Sequence, residues 1–240
     1  MQFYFIRHAQ SINNALWAET GSDEGRSEDP ELTDLGREQA RRLGEYLVKT
    51  PRLVSLNGAR PTEDPWPVFT HLYCSLMVRA VETASIIGQT LDMPVYPWLE
   101  VFETGGIFTE DPTTGERTGG PGKTRAFFAE NFPQLVIPEN QWEEGWWNRD
   151  FERREERVPR AQRFLQDLLE RHGDTKDRVA IVSHGTFYNH FMRAAMNIPE
   201  GDDTWFAIYN TGVTRLDFHH SGVGLFFTNM MEHLPVELIT

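Results

Sequence analysis

Met1-Gln2-Phe3-Tyr4-Phe5-Ile6-Arg7-His8-Ala9-Gln10-Ser11-Ile12-Asn13-Asn14 opens the chain, and its first half reads as a buried strand. Phe3–Ile6 is a short, bulky run without a polar interruption, the pattern of a strand covered on both faces. It ends abruptly in Arg7 and His8. In an open α/β sheet the carboxyl ends of the strands face the crevice where ligands bind. Arg7 offers a planar cationic fork suited to phosphate or carboxylate. His8 can act as nucleophile, base or ligand near neutral pH. A solvated Arg-His pair at a strand end is the competing reading of this stretch alone.

A second stretch repeats the pattern. Arg178–Val182 is apolar and strand-like, and it runs into Ser183-His184-Gly185-Thr186 before a helix over Phe187–Met196. Between the two lie a helix starting at Thr33, with Thr33 as its N-cap, and a proline-rich connection at 51–67. A strand over Val68–Tyr73 follows, then a helix capped by Ser75 that carries Arg79 and runs to about Gln89. Arg79 falls in that helix's first turns, where free N–H groups already favour an anion. Val95–Leu99 reads as a short extended piece. Ala15–Glu31 is polar and acidic and reads as a surface loop.

Residues 104–150 hold seven of the 19 glycines and three of the seven tryptophans (Trp142, Trp146, Trp147) without a clean period, so they read as an insertion or cap over the site. Val158, Ala161, Phe164, Leu165, Leu168 and Leu169 form the apolar stripe of a later helix that Gly173 ends. The charged run Glu152–Arg157 reads as that helix's solvated face. Trp205–Tyr209, Val213–Phe218 and Val223–Phe227 read as two or three closing strands.

Composition restricts partners. Thirty-six acids against 23 bases give a net charge of −13, which repels nucleic acid and anionic membranes at long range. An anionic substrate must therefore be small and captured by local arginines. No apolar run approaches the roughly 20 residues of a membrane helix. The N-terminus lacks the basic stretch of a signal peptide. The single cysteine, Cys74, leaves no internal disulfide or cysteine metal cluster. A reducing, cytoplasmic setting is the expectation. Oligomeric state is not legible.

Four segments carry a resemblance. Arg7–Asn14 resembles the R-H-G-x-S-x-x-N signature of the histidine phosphatase superfamily, in the branch containing cofactor-dependent phosphoglycerate mutase and fructose-2,6-bisphosphatase, with Ala9 in place of the usual glycine. Leu32-Thr33-Asp34-Leu35-Gly36-Arg37-Glu38-Gln39-Ala40 resembles that branch's L-T-x-x-G-x-x-Q-A helix start. Ser75-Leu76-Met77-Val78-Arg79-Ala80-Val81-Glu82-Thr83-Ala84 resembles its S-x-x-x-R-A-x-x-T-A helix, and Ser183-His184-Gly185 its second S-H-G. They occur in the family's order, over roughly 1–103 and 175–218.

The resemblance implies one α/β domain over 1–240, a three-layer α/β/α fold of the phosphoglycerate mutase type with a mainly parallel, mixed sheet and the insertion as a cap. It implies His8 as a phosphoryl-carrying nucleophile and Arg7, Asn14, Arg79 and His184 as phosphate-binding groups. A glutamate acts as proton donor. Both Glu100 and Glu103 qualify, and Glu103 is favoured because Glu103-Thr104-Gly105-Gly106 looks like the family's E-x-G-G form. The implied activity is metal-free and cofactor-free hydrolysis of a small phosphomonoester. The alternatives are a phosphoglycerate mutase and a phosphate-binding regulatory protein without turnover.

The bland readings stand beside these. His190, His219 and His220 read as solvated or packing residues, and the three tryptophans as packing. Gly119-Gly120-Pro121-Gly122-Lys123-Thr124 imitates a phosphate-binding loop, but position 117 is arginine where glycine is needed and no apolar strand precedes it. Lys123 and Arg125 remain candidates for substrate contact. Ser183 lacks the glycine two places before it that a nucleophile elbow requires.

Overall fold

A computed structural model describes residues 1–49, 69–199, 201 and 203–240. The expected connection 51–67, with Pro51, and the first residue of the expected second strand, Val68, lie outside the described residues. The elements in order are β1 (Gln2–Arg7), α1 (Ile12–Thr20), α2 (Asp34–Lys49), β2 (His71–Cys74), α3 (Val78–Leu91) and β3 (Tyr96–Pro97). A 3-10 turn (Leu99–Val101), β4 (Phe108–Glu110), β5 (Arg117–Gly119), α4 (Arg125–Asn131) and α5 (Arg154–His172) follow. The chain ends with β6 (Arg178–Ser183), α6 (Gly185–Ala195), β7 (Val213–His219), β8 (Gly222–Met230) and a 3-10 turn (Val236–Leu238).

The main sheet has strand order β3-β2-β6-β1-β7-β8, and β4 pairs with β5 as a separate hairpin. β1, β6, β2 and β3 are parallel, whereas β7 and β8 run antiparallel at one edge. This is the mainly parallel, mixed sheet expected from the sequence. Side chains alternate across β1. Tyr4 and Ile6 join Leu43, Leu47, Ala80 and Val81 of α2 and α3 on one face. Phe3 and Phe5 join Ala161, Phe164, Phe187 and Phe191 of α5 and α6 on the other. Both faces are covered, which is why the strand's apolar run is continuous, and the result is the three-layer α/β/α arrangement.

Several local expectations are corrected. Residues 12–20 form a helix, which replaces the first part of the loop expected over Ala15–Glu31. Ser11 and Asn14 make a capping box, Gly21 closes the far end at φ 66°, and no residue of α1 is buried. End chemistry fixes this helix, so no apolar stripe betrays it. Ser75 does not cap α3; its N-cap is Met77 without a side-chain bond, and Asp29 Oδ1 accepts the Val78 N–H at 2.9 Å instead. Trp205–Tyr209 is not a strand. Its backbone is satisfied by side chains: Asn189 bonds both the N–H and the carbonyl of Phe206, and Asn229 Oδ1 accepts the Tyr209 N–H. The run from Glu152 is not wholly solvated either, because Glu152 is buried. Thr33 does serve α2, its Oγ1 accepting the Gly36 N–H at 3.0 Å.

Residues 104–150 contribute the β4–β5 hairpin, α4 and a tryptophan pair. Trp146 and Trp147 are buried in the α2/α3-side core, and Trp147 meets Phe102 edge-on at 4.5 Å between centroids. Among the described residues, no helix is long and apolar enough to cross a membrane.

Gly36 shows how closely α2 approaches the loop after β1. A Cβ there would sit 2.1 Å from the Gln10 carbonyl oxygen. Gly36→Ala is therefore expected to destabilise the fold by about 1–3 kcal/mol through backbone displacement, read as a lower urea midpoint with an unchanged slope.

Candidate active site

Three parallel strands deliver their ends to one edge. Arg7 pairs with Ser183 and Ile6 with Val182, and the His8 N–H donates to the Ser183 carbonyl at 2.8 Å. Cys74 pairs with Val182, so Ser75 leaves β2 at the same level. Residues 176 positions apart in sequence are thus placed side by side: the His8 and His184 ring centroids lie 5.1 Å apart.

The protonation of His8 follows from its contacts. Nδ1 lies 2.7 Å from the Ala9 carbonyl oxygen, which can only accept, so Nδ1 carries the proton. Nε2 then holds a lone pair, and Arg79 Nε–H donates to it at 3.2 Å. Burial, then Arg79, then Arg7 hold the imidazolium well below the ordinary histidine range. The ring is neutral, with its free nitrogen facing a guanidinium. Ala9 replaces the usual glycine without strain: it is absent from the positive-φ residues, and its N–H donates to Thr83 Oγ1 at 3.0 Å.

His184 is fully buried. Its Nε2 is 2.8 Å from Ser75 Oγ, and that oxygen already accepts the Met77 N–H at 3.3 Å. Either Nε2 or Ser75 Oγ can supply the proton of the bond between them, and the other ring nitrogen, Nδ1, has no partner. Burial first, then Arg79 and His8, depress this ring as well. His184 is a neutral, buried ring with one nitrogen left unpaired.

The two arginines are poorly neutralised. Arg7 Nη1 donates to the Ile208 carbonyl at 2.7 Å, while its Nε has no partner. Arg79 is buried; its Nη2 meets only the weakly accepting sulfur of Met77, at 3.2 Å, and its Nη1 is 3.9 Å from Asp29 Oδ1. Desolvation pulls both guanidiniums below their ordinary value; Glu103 partly offsets this at Arg7, where Arg79 adds to it, and Asp29 and Glu103 partly offset it at Arg79, where Arg26 adds to it. A dianion would fill this electrostatic hole.

The acid candidates part company in the structure. Glu103 Oε1 accepts the N–H groups of Thr104 (2.8 Å) and Phe187 (3.0 Å), and Oε2 that of Thr186 (3.1 Å), at the N-terminus of α6. Its charge reaches Arg7 and Arg79. Glu100 instead turns its carboxylate to Arg163 on the outer face of α5, at 3.4 Å. Asn14 Oδ1 accepts from Ser11 N–H, Ser11 Oγ and Asn210 Nδ2. Among the described residues its amide N–H groups donate to no protein atom.

Sequence reasoning missed the supports. Asn210 Nδ2 donates to the His8 carbonyl at 2.8 Å. Arg160, 2% exposed, forms a two-pronged ion pair with Glu152 at 2.5 and 2.9 Å. Its Nη1 also donates to the carbonyls of Glu100 and Phe102, while Glu152 Oε2 accepts the Gly105 N–H at 3.1 Å. The pair therefore clasps the Glu103 loop on both sides. Arg160 is sandwiched by rings as well, 3.7 Å from the Phe102 centroid and 4.7 Å from that of Phe187. Only its buried register on α5 signals it, and the surrounding charges hide that. Of the bland candidates, His219 and His220 are exposed and His190 is partly buried. Lys123 lies over the Phe127 ring at 4.9 Å, near enough to Asp29 to be felt by it.

Comparison with known proteins agrees with this geometry. Residues 3–55 and 66–230 match the histidine phosphatase superfamily (branch 1), and the chain belongs to it. Among solved structures, a phosphoserine phosphatase from Entamoeba histolytica bound to 3-phosphoglyceric acid is 20% identical, with TM-score 0.60 over 98% of this chain and 99% of its own. A putative α-ribazole-5′-phosphate phosphatase from Escherichia coli is 20% identical, with TM-score 0.62 over 96% of each chain. A mycobacterial glucosyl-3-phosphoglycerate phosphatase is 19% identical, with TM-score 0.59 over 96% and 99%. At these identities the likeness is one of fold. Comparison with curated proteins finds no match.

Asp29 gives the site a measurable pH signature. Burial pushes its carboxyl up to about 6, and Oδ2 has no partner. The native state thus holds this proton more tightly than the unfolded chain. That contribution is complete below about pH 4 and is lost as pH rises through about 6. Asp29→Asn keeps an acceptor for Val78 and is expected to be more stable than the parent by about 3 kcal/mol at pH 8, the gap closing below pH 4, in urea unfolding at both pH values.

Proposed function

We propose that the chain is a phosphatase that hydrolyses a small phosphomonoester through a phosphohistidine on His8. The observation that carries this reading is the neutral His8 ring, proton on Nδ1 and lone pair on Nε2, set beside two guanidiniums with weak partners. Phosphoryl transfer needs positive donors around the non-bridging oxygens and an in-line nucleophile. Arg7, Arg79, His184 and the Asn14 amide supply the donors. His8 Nε2 attacks phosphorus as the ester P–O bond breaks, and Glu103, which takes up a proton as the phosphate dianion enters, gives it to the leaving oxygen. Water then attacks the phosphohistidine, Glu103 takes its proton, and phosphate leaves with the His8 ring neutral again. No step calls on a metal ion, since the arginines carry the charge compensation.

The placement of Glu103 at the α6 N-terminus, against Glu100 on the outer face of α5, supports Glu103 as the proton donor. Residues 104–150 act in this reading as the cap. They follow Glu103 directly and pack Trp147 against Phe102 and against Gly106, where a Cβ would sit 2.0 Å from the ring. The solved structures of similar fold carry the names of phosphatases acting on phosphoserine, α-ribazole-5′-phosphate and glucosyl-3-phosphoglycerate, all phosphomonoesters. That favours hydrolysis over the mutase reaction, which returns the phosphoryl group to the substrate. It also favours an enzyme over a phosphate-binding regulator, as do intact His8, Arg7, Arg79 and His184.

With chelator present, the chain is expected to hydrolyse p-nitrophenyl phosphate, and His8→Ala to lower kcat by at least a thousandfold. An acid-labile, alkali-stable phosphoryl label on the chain should appear after rapid quenching. Full activity in His8→Ala, or no label in an active enzyme, rejects the covalent route. Glu103→Gln is expected to slow alkyl phosphates by 10²–10⁴-fold and aryl phosphates far less, because only the poor leaving group needs the proton. The same selectivity in Glu100→Gln would transfer the role to Glu100.

A further inference from the structure

A second cluster sits at the opposite end of the sheet. His71 opens β2, His172 ends α5, and Asp177 directly precedes β6; His71 pairs with Val179, so all three meet at the amino ends of the parallel strands. The length of β6 alone, at ~3.3 Å per residue, separates this pole from Ser183 by roughly 17 Å. Each of the three offers a ligand atom, and these atoms lie within 4.8 Å of one another. The two imidazole centroids are 4.7 Å apart. His172 is buried, whereas His71 and Asp177 are partly exposed, so the cluster is anchored from within and open to solvent.

We propose that His71, His172 and Asp177 form a binding site for a divalent transition-metal ion of the zinc class, separate from the phosphoryl site. Two imidazoles and one carboxylate are the nitrogen and oxygen donors that such ions take, and water completes the shell.

The hydrogen bonds set the ligand atoms. Thr70 Oγ1 donates to the Arg178 carbonyl and accepts the Arg178 N–H, so its one proton is used. The His71 Nδ1 at 3.0 Å from that oxygen must then be the donor, which leaves the lone pair on Nε2. Asp177 Oδ2 lies 2.8 Å from His172 Nδ1, and His172 Nε2 lies 3.2 Å from the Tyr73 hydroxyl. An ion takes the place of the proton between Nδ1 and Oδ2. The ring stays neutral with its proton on Nε2, and Tyr73 Oη turns from donor to acceptor. Each metal-bound imidazole then has an outer partner, Thr70 for His71 and Tyr73 for His172, as ligating histidines require. Bonds of ~2.1 Å at tetrahedral angles place donors about 3.4 Å apart, so donors as far as 4.8 Å apart draw together while the 2.8 Å His172–Asp177 pair parts slightly, through side-chain rotation at the two partly exposed ligands.

Titration calorimetry of the tag-free full chain with Zn²⁺ tests this. The expected result is one ion per chain, retained in His8→Ala and weakened tenfold or more in His71→Ala and in Asp177→Asn. Ring ¹⁵N spectra of the parent chain are expected to show His71 and His172 shifting with Zn²⁺ and broadening with Co²⁺, a readout that no variant's folding can confound. Absence of a stoichiometric ion, its loss in His8→Ala, or unchanged affinity in both cluster variants overturns the site. So do unshifted His71 and His172 resonances at saturating Zn²⁺.

Discussion

The parallel pairing of β1 with β6 in the register that sets Arg7 opposite Ser183 is the constraint on which the site depends. A slip by one residue would send Phe3 and Phe5 to the α2/α3 side and turn each strand's alternating side chains onto the wrong helices. Because both faces of β1 are buried, that register is strongly specified. The histidines immediately after each strand inherit the precision of the core. Their rings meet without any direct bond between them, held by Ala9 on one side and Ser75 on the other.

Around this pair the protein arranges charge in two different ways. Arg160 is buried with a complete set of partners: a carboxylate, two carbonyls and two aromatic faces. Such a cation is fixed and organises the loop that carries Glu103. Arg7 and Arg79 are withdrawn from water with incomplete sets. The contrast lies within one molecule, which shows that the deficit at Arg7 and Arg79 is local and is not a general feature of buried arginines here. A half-satisfied buried cation is costly to a fold and useful to a binding site.

The strands, the two histidines and Arg79 were legible because each depends on a local signal: an apolar run that stops, or a charge in a helix's first turn. The choice between Glu103 and Glu100 was not fixed by spacing, since both follow the same extended piece. The fold separates them by turning one into α6 and the other toward α5. α1 escaped because its ends, not a stripe, define it. Trp205–Tyr209 has strand-like composition, yet Asn189 and Asn229 take the backbone bonds that a neighbouring strand would have taken. Glu152 was hidden by its charged neighbours, and Asp29 by an acidic loop. For Glu103, Asp29 and Phe206 the deciding partner lies far away in sequence, beyond any periodicity.

The incomplete partnering of Arg7 and Arg79 has a thermodynamic reach beyond the site itself. Any small dianion that settles between them stabilises the folded chain as a whole, by linkage, and goes on doing so as its concentration rises past its dissociation constant. On the proposed chemistry the last species in that hole is orthophosphate, which carries the same charge and oxygen geometry as the group just transferred. The arrangement that draws an ester in therefore also retards departure of the product. Turnover in a phosphate-rich solution is then governed by competition for the two guanidiniums as much as by the chemistry at His8.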